Sequence, residues 1–143
     1  MTTHKDAYRK YGEPDEQFER KWMTLYHVPE QLQLGAIPKR IYMNKDMVQP
    51  FTTFLMAVYR EGIGHEIRTW DGCFNVRKQR GFTFAPSLHS WGIAFDMNAA
   101  WNGLGQEPTL SQKMIACIKE AGFDWGGDWR RRLDGMHSQL SRI

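Results

Sequence analysis

SLHSWGIAFDMN, residues 87–98, runs from a polar start through a glycine into an apolar stretch that nevertheless holds an aspartate. Side chains on an extended segment alternate faces. After Gly92, Ile93 and Phe95 therefore share one face, and Ala94 and Asp96 share the other. A strand from 92 to 98 would bury the first pair and turn Asp96 toward a space left open by the small Ala94. His89 precedes the turn at Gly92, and that turn can fold the imidazole over the same space. A histidine and a carboxylate converging beside a sheet are two of the ligand types that zinc takes.

A third ligand is needed, because catalytic zinc sites use three protein ligands and keep one position open. The remaining histidines are His4, His27, His65 and His137. His137 lies in DGMHSQL, three residues after Asp134, on a short segment (136–140) that reads as a terminal strand. Gly135 between them permits a local turn that would bring Asp134 back toward the same space.

The surrounding pattern predicts an α+β fold, with helices packed on a small, largely antiparallel sheet. Helical spacing of Phe18, Trp22, Leu25 and Tyr26 predicts a helix over 15–26. A second is expected over 46–61, with Pro50 in its first turn. A third follows TLSQ (109–112), where Thr109 has capping-box spacing, and it closes at Gly122. KRIYMN (39–44), HEIRTWDG (65–72) and FDW (123–125) read as strands.

With 143 residues, the chain is expected to form one domain over 1–143, with a helical N-terminal extension (1–38) and a catalytic core (39–143). Hydrophobic residues at 41% and charged residues at 24% are ordinary globular usage, so disorder is not the reading. A formal net charge of +3 is too diffuse to indicate nucleic-acid binding. The N-terminus lacks the apolar core of a signal peptide, and no stretch approaches the ~18 apolar residues of a membrane span. Cys73 and Cys117 read as two buried thiols rather than a disulfide framework.

SLHSWGIAFD fits Ser-x-His-x-x-Gly-x-Ala-x-Asp, and WGGDW followed by DGMH fits an Asp/Glu-x-x-His half-motif about 40 residues on. Together they resemble the zinc D-alanyl-D-alanine carboxypeptidases, a family that includes phage L-alanyl-D-glutamate endopeptidases acting as endolysins. The resemblance runs from about Lys39 to Gln139. It implies one zinc ion per chain, held by His89, Asp96 and His137, with Asp134 as general base toward the attacking water. The segment RTWDGCFNVRKQRG (68–81) resembles the family's arginine-bearing stretch. That implies Arg77 or Arg80 as the cation at the oxyanion.

Ser87, Trp91, Trp125 and Trp129 are then candidate substrate-binding residues of the cleft. The implied substrate is the stem peptide of bacterial peptidoglycan. The expected enzyme is a monomer held in the host cytoplasm until release to the wall, or carried in the virion. The alternative is a zinc-containing structural or wall-binding domain without catalysis. The presence of Asp134 favours the enzyme.

Overall fold

The computed structural model describes residues 1–75 and 87–143. Among the described residues, four helices accompany two antiparallel sheets, the expected α+β arrangement. In order come α1 (His4–Tyr11), α2 (Glu16–Trp22), β1 (Met23–His27), β2 (Arg40–Asn44), α3 (Lys45–Glu61), β3 (Trp70–Gly72), β4 (Ala94–Met97), α4 (Gln112–Glu120), β5 (Phe123–Trp125) and β6 (His137–Leu140). β1 and β2 form a two-stranded sheet, and the second sheet has the order β3-β4-β6-β5.

The core explains why Ile93 and Phe95 turn inward. Phe95 meets Phe51 and Phe54 of α3, Trp70 of β3 and Phe123 of β5, with ring centroids 5.2–5.7 Å apart. Such tilted, edge and stacked contacts add to the burial of each ring. α3 carries Met47, Phe51, Phe54, Leu55 and Val58 on its buried face, as its periodicity requires. It ends at Gly62 in the left-handed conformation.

Four expectations are corrected. The helix over 15–26 stops at Trp22, because Met23–His27 instead pair with β2. The N-terminal 38 residues are therefore not purely helical, and α1, capped by Thr3 and Asp6, was not foreseen. The strand over 65–72 shrinks to Trp70–Gly72. Asn98 Oδ1 accepts the backbone N–H groups of Arg68 and Thr69 at 2.8 and 3.1 Å, so a side chain takes the donors that a ladder would use. α4 is capped by Ser111, not Thr109: the Thr109 hydroxyl is occupied by Asn102 and the Trp101 carbonyl. Cys73 and Cys117 are both free and buried.

Candidate metal centre

His89, Asp96 and His137 come together, and each reaches the site by a different local device. Ser87 starts a 3-10 turn, Leu88–Trp91, by accepting the His89 backbone N–H at 3.2 Å. Gly92 ends the turn at φ +67°, a conformation that favours glycine. A Cβ there would also lie 2.9 Å from the Asn44 nitrogen. Asp96 sits on β4, directly opposite His137 on β6. The next rung on that face pairs Ala94 with Gln139, so the small alanine leaves room for the glutamine side chain.

Asp134 is brought near by the expected local turn, through Gly135 and Met136. Gly135 does not adopt a positive φ. Its role is close packing, since a Cβ would lie 2.9 Å from Asn102 Oδ1. The Asp134 N–H donates to the Gly126 carbonyl at 3.0 Å, and its own carbonyl accepts from His137 N at 3.0 Å.

The hydrogen bonds around the rings assign the protons. His89 Nδ1 lies 2.7 Å from the Cys73 carbonyl, which can only accept, so Nδ1 carries the hydrogen. Gln139 Nε2 donates to the Thr2 carbonyl at 3.2 Å, which turns its Oε1 toward His137 Nε2 at 3.0 Å. An amide oxygen only accepts, so His137 carries its hydrogen on Nε2. In the neutral rings, His89 Nε2 and His137 Nδ1 are then bare acceptors. Both lie 3.2 Å from Asp96 Oδ1, itself an acceptor. His89 Nε2 is buried and has no aligned hydrogen-bond partner among the described residues.

Three lone pairs facing one another need a cation or extra protons between them. The three ligand atoms lie within 4.8 Å of one another, and two imidazole nitrogens with one carboxylate oxygen suit zinc. The side chains fit a metal on this count. Without one, the electrostatics favour a proton on His137 beside Asp96. Burial alone would raise Asp96, but the two imidazoles outweigh it and hold its carboxyl well below the usual range. Burial opposes charge on His137, yet Asp96 beside it pushes its pKa up.

The triad opens onto a cleft of about 630 Å³. Asp134, Ser87, Trp129, Arg132 and Gln139 line it, together with Met1–His4 of the N-terminal segment. Burial pushes the half-buried Asp134 carboxyl up, and the Asp96 charge adds to this while His137 and Arg132 oppose it. Trp129 lies against His137, ring centroids 5.3 Å apart. Trp91 and Trp125 are corrected: both are buried behind the cleft. Trp91 donates to the Gly12 carbonyl at 2.9 Å, and Trp125 to the Gly135 carbonyl at 2.9 Å. Arg77 and Arg80 lie outside the described residues. Arg132 is the one Lys or Arg among the described residues lining the cleft.

Sequence reasoning missed Gln139, the Cys73 carbonyl and the N-terminal wall, while the WRRRL run (129–133) holding Arg132 was only a fallback source of the cation. Gln139 was findable, because residues two apart on a strand share a face. A main-chain carbonyl has no sequence signal at all.

No solved structure matches the chain. Residues 80–140 match the family model described as D-alanyl-D-alanine carboxypeptidase, a span that holds all three clustered side chains and Asp134. Residues 80–140 thus carry a domain of the D-alanyl-D-alanine carboxypeptidase family, and the chain is a zinc peptidase.

Proposed function

We propose that this enzyme hydrolyses a peptide bond in the stem peptide of bacterial peptidoglycan and acts as a phage endolysin. It would be an L-alanyl-D-glutamate endopeptidase or a D-alanyl-D-alanine carboxypeptidase. His89, Asp96 and His137 hold one zinc per chain, and Asp134 is the general base. The carrying observation is the convergence of three buried acceptor atoms at the floor of a cleft whose wall includes a carboxylate. The endolysin role is supported by the likeness of residues 68–81 to the arginine-bearing stretch of phage-type members. The chain would reach the wall by release from the host cytoplasm or from the virion.

Zinc, when bound, supplies a Lewis acid that polarises the scissile carbonyl and lowers the pKa of water toward ~7. Asp134 removes a proton from the water as its oxygen attacks the carbonyl carbon. The same carboxyl then returns that proton to the amine as the C–N bond breaks. Burial of Asp134 suits both halves, because a raised pKa makes it a better base and a competent acid. Trp129 offers an apolar wall for the peptide, and Arg132 a positive charge for its carboxylates. Arg77 or Arg80 is the proposed cation at the oxyanion.

Digestion of purified peptidoglycan by the zinc-loaded protein, with mass spectrometry of the products, tests the reading. Free D-alanine identifies the carboxypeptidase, and peptides with a new D-glutamate N-terminus identify the endopeptidase. Zinc binding with no released product would favour the non-catalytic alternative.

A further inference from the structure

Two residues after each clustered histidine, a side chain reaches the N-terminal segment. Trp91, after His89, donates from Nε1 to the Gly12 carbonyl at 2.9 Å. Gln139, after His137, donates from Nε2 to the Thr2 carbonyl at 3.2 Å. These two bonds clamp opposite ends of α1. Tyr8 also packs edge-on against Trp91, with centroids 4.9 Å apart. Thr2 is buried although it sits almost at the end of the chain as given. The whole segment lies outside the span matched by the family model.

We infer that residues 2–12 are a working part of the metal centre, with Gln139 as the positioning residue that connects them to His137. The Thr2 carbonyl can only accept a hydrogen bond, so it fixes which way the Gln139 amide points. That orientation presents Oε1 to His137 Nε2 and leaves Nδ1 facing Asp96. Turned over, the amide would aim N–H at N–H, and the ring would have to turn or change tautomer. His89 needs no such help from a side chain, since the Cys73 carbonyl holds it. The N-terminal segment thus acts on zinc through one glutamine, at the histidine whose ring has no main-chain partner among the described residues. Outer partners of metal-bound histidines typically govern about 10–100-fold in metal affinity.

This inference rests on His89, Asp96 and His137 holding zinc, and the test separates the two. Zinc affinity is measured by chelator competition for wild type, Gln139→Leu and Gln139→Glu, with hydrogen exchange of residues 2–12 recorded with and without zinc. Gln139→Leu is expected to bind zinc roughly 10–100-fold more weakly. Gln139→Glu keeps an acceptor for His137 and is expected to recover most of that loss. It cannot donate to Thr2, so zinc no longer adds protection to the segment, as it does in wild type.

The ¹⁵N spectrum of the wild-type rings, recorded without metal where His137 is neutral, is expected to show Nε2–H. That measurement depends on no variant folding. Unchanged affinity in Gln139→Leu, or a neutral His137 protonated on Nδ1, overturns the inference. A wild type that binds no zinc overturns the metal site and this inference with it.

Discussion

The two histidines of the centre are held in opposite ways. His89 stands on a 3-10 turn outside the sheet, and main chain fixes its outer nitrogen: the Cys73 carbonyl at 2.7 Å. His137 stands within the sheet, paired with Asp96 across a rung, and a side chain fixes its outer nitrogen: Gln139 at 3.0 Å. A carbonyl cannot be mutated away, but the turn that delivers His89 can be. A strand is hard to displace, but the partner of His137 is a single replaceable residue. The His89 arm is therefore vulnerable through backbone conformation, and the His137 arm through side chains.

The largest effect belongs to the His137 arm. Asp134→Asn preserves shape and removes the proposed base, so turnover is expected to fall roughly 10²–10⁴-fold. Zinc content and melting temperature should stay near wild type, because Asp134 is not one of the three clustered ligands. A variant that also loses its metal would show that this carboxylate is a ligand.

On the His89 arm, Gly92→Ala attacks the turn. Placing a Cβ at φ +67° costs about 1–2 kcal/mol before any contact is counted. The Met23 side chain, 2.8 Å from that Cβ, must also move. Denaturant melts should show this loss, and zinc affinity should fall with it. Unchanged affinity in a destabilised Gly92→Ala would show that the turn does not set the imidazole.

Ser87→Ala is the milder version on the same arm. It removes the hydroxyl that accepts from His89 N and is expected to cost about 1 kcal/mol in the same melts. A loss larger than that of Gly92→Ala would mean that the cap, more than the glycine, holds the turn.

The smallest effect is one of pH. Burial raises Asp134, so as pH falls its carboxylate is protonated earlier than that of an exposed aspartate, with pKa near ~3.9. The acid limb of kcat/KM should accordingly come from this carboxylate. It should disappear from the residual activity of Asp134→Asn. A limb that persists in that variant belongs to another group.

The same contrast explains how much could be read from the sequence. The alternation of Ile93, Ala94, Phe95 and Asp96 is a local property, and strand geometry fixes which face each residue takes. Gly92 announces its turn for the same reason. The N-terminal elements were harder. Trp22 and Leu25 keep helical spacing, but Met23–His27 gain a ladder with residues 40–44, a partner distant in sequence. Thr109 and Ser111 are both good caps, and only the presence of Asn102 decides between them. Trp91 and Trp125 carry polar N–H groups that suit a cleft equally well, yet both found buried carbonyls.

The most direct measurement is X-ray absorption at the zinc K-edge of the zinc-loaded protein. Coordination by His89, Asp96 and His137 predicts a shell of nitrogen and oxygen only, at about 2.0–2.2 Å, with the multiple-scattering pattern of two imidazoles. The same spectrum recorded on His137→Ala should retain one. A sulfur shell near ~2.3 Å would bring a cysteine thiolate into the coordination sphere and contradict the assignment of His89, Asp96 and His137.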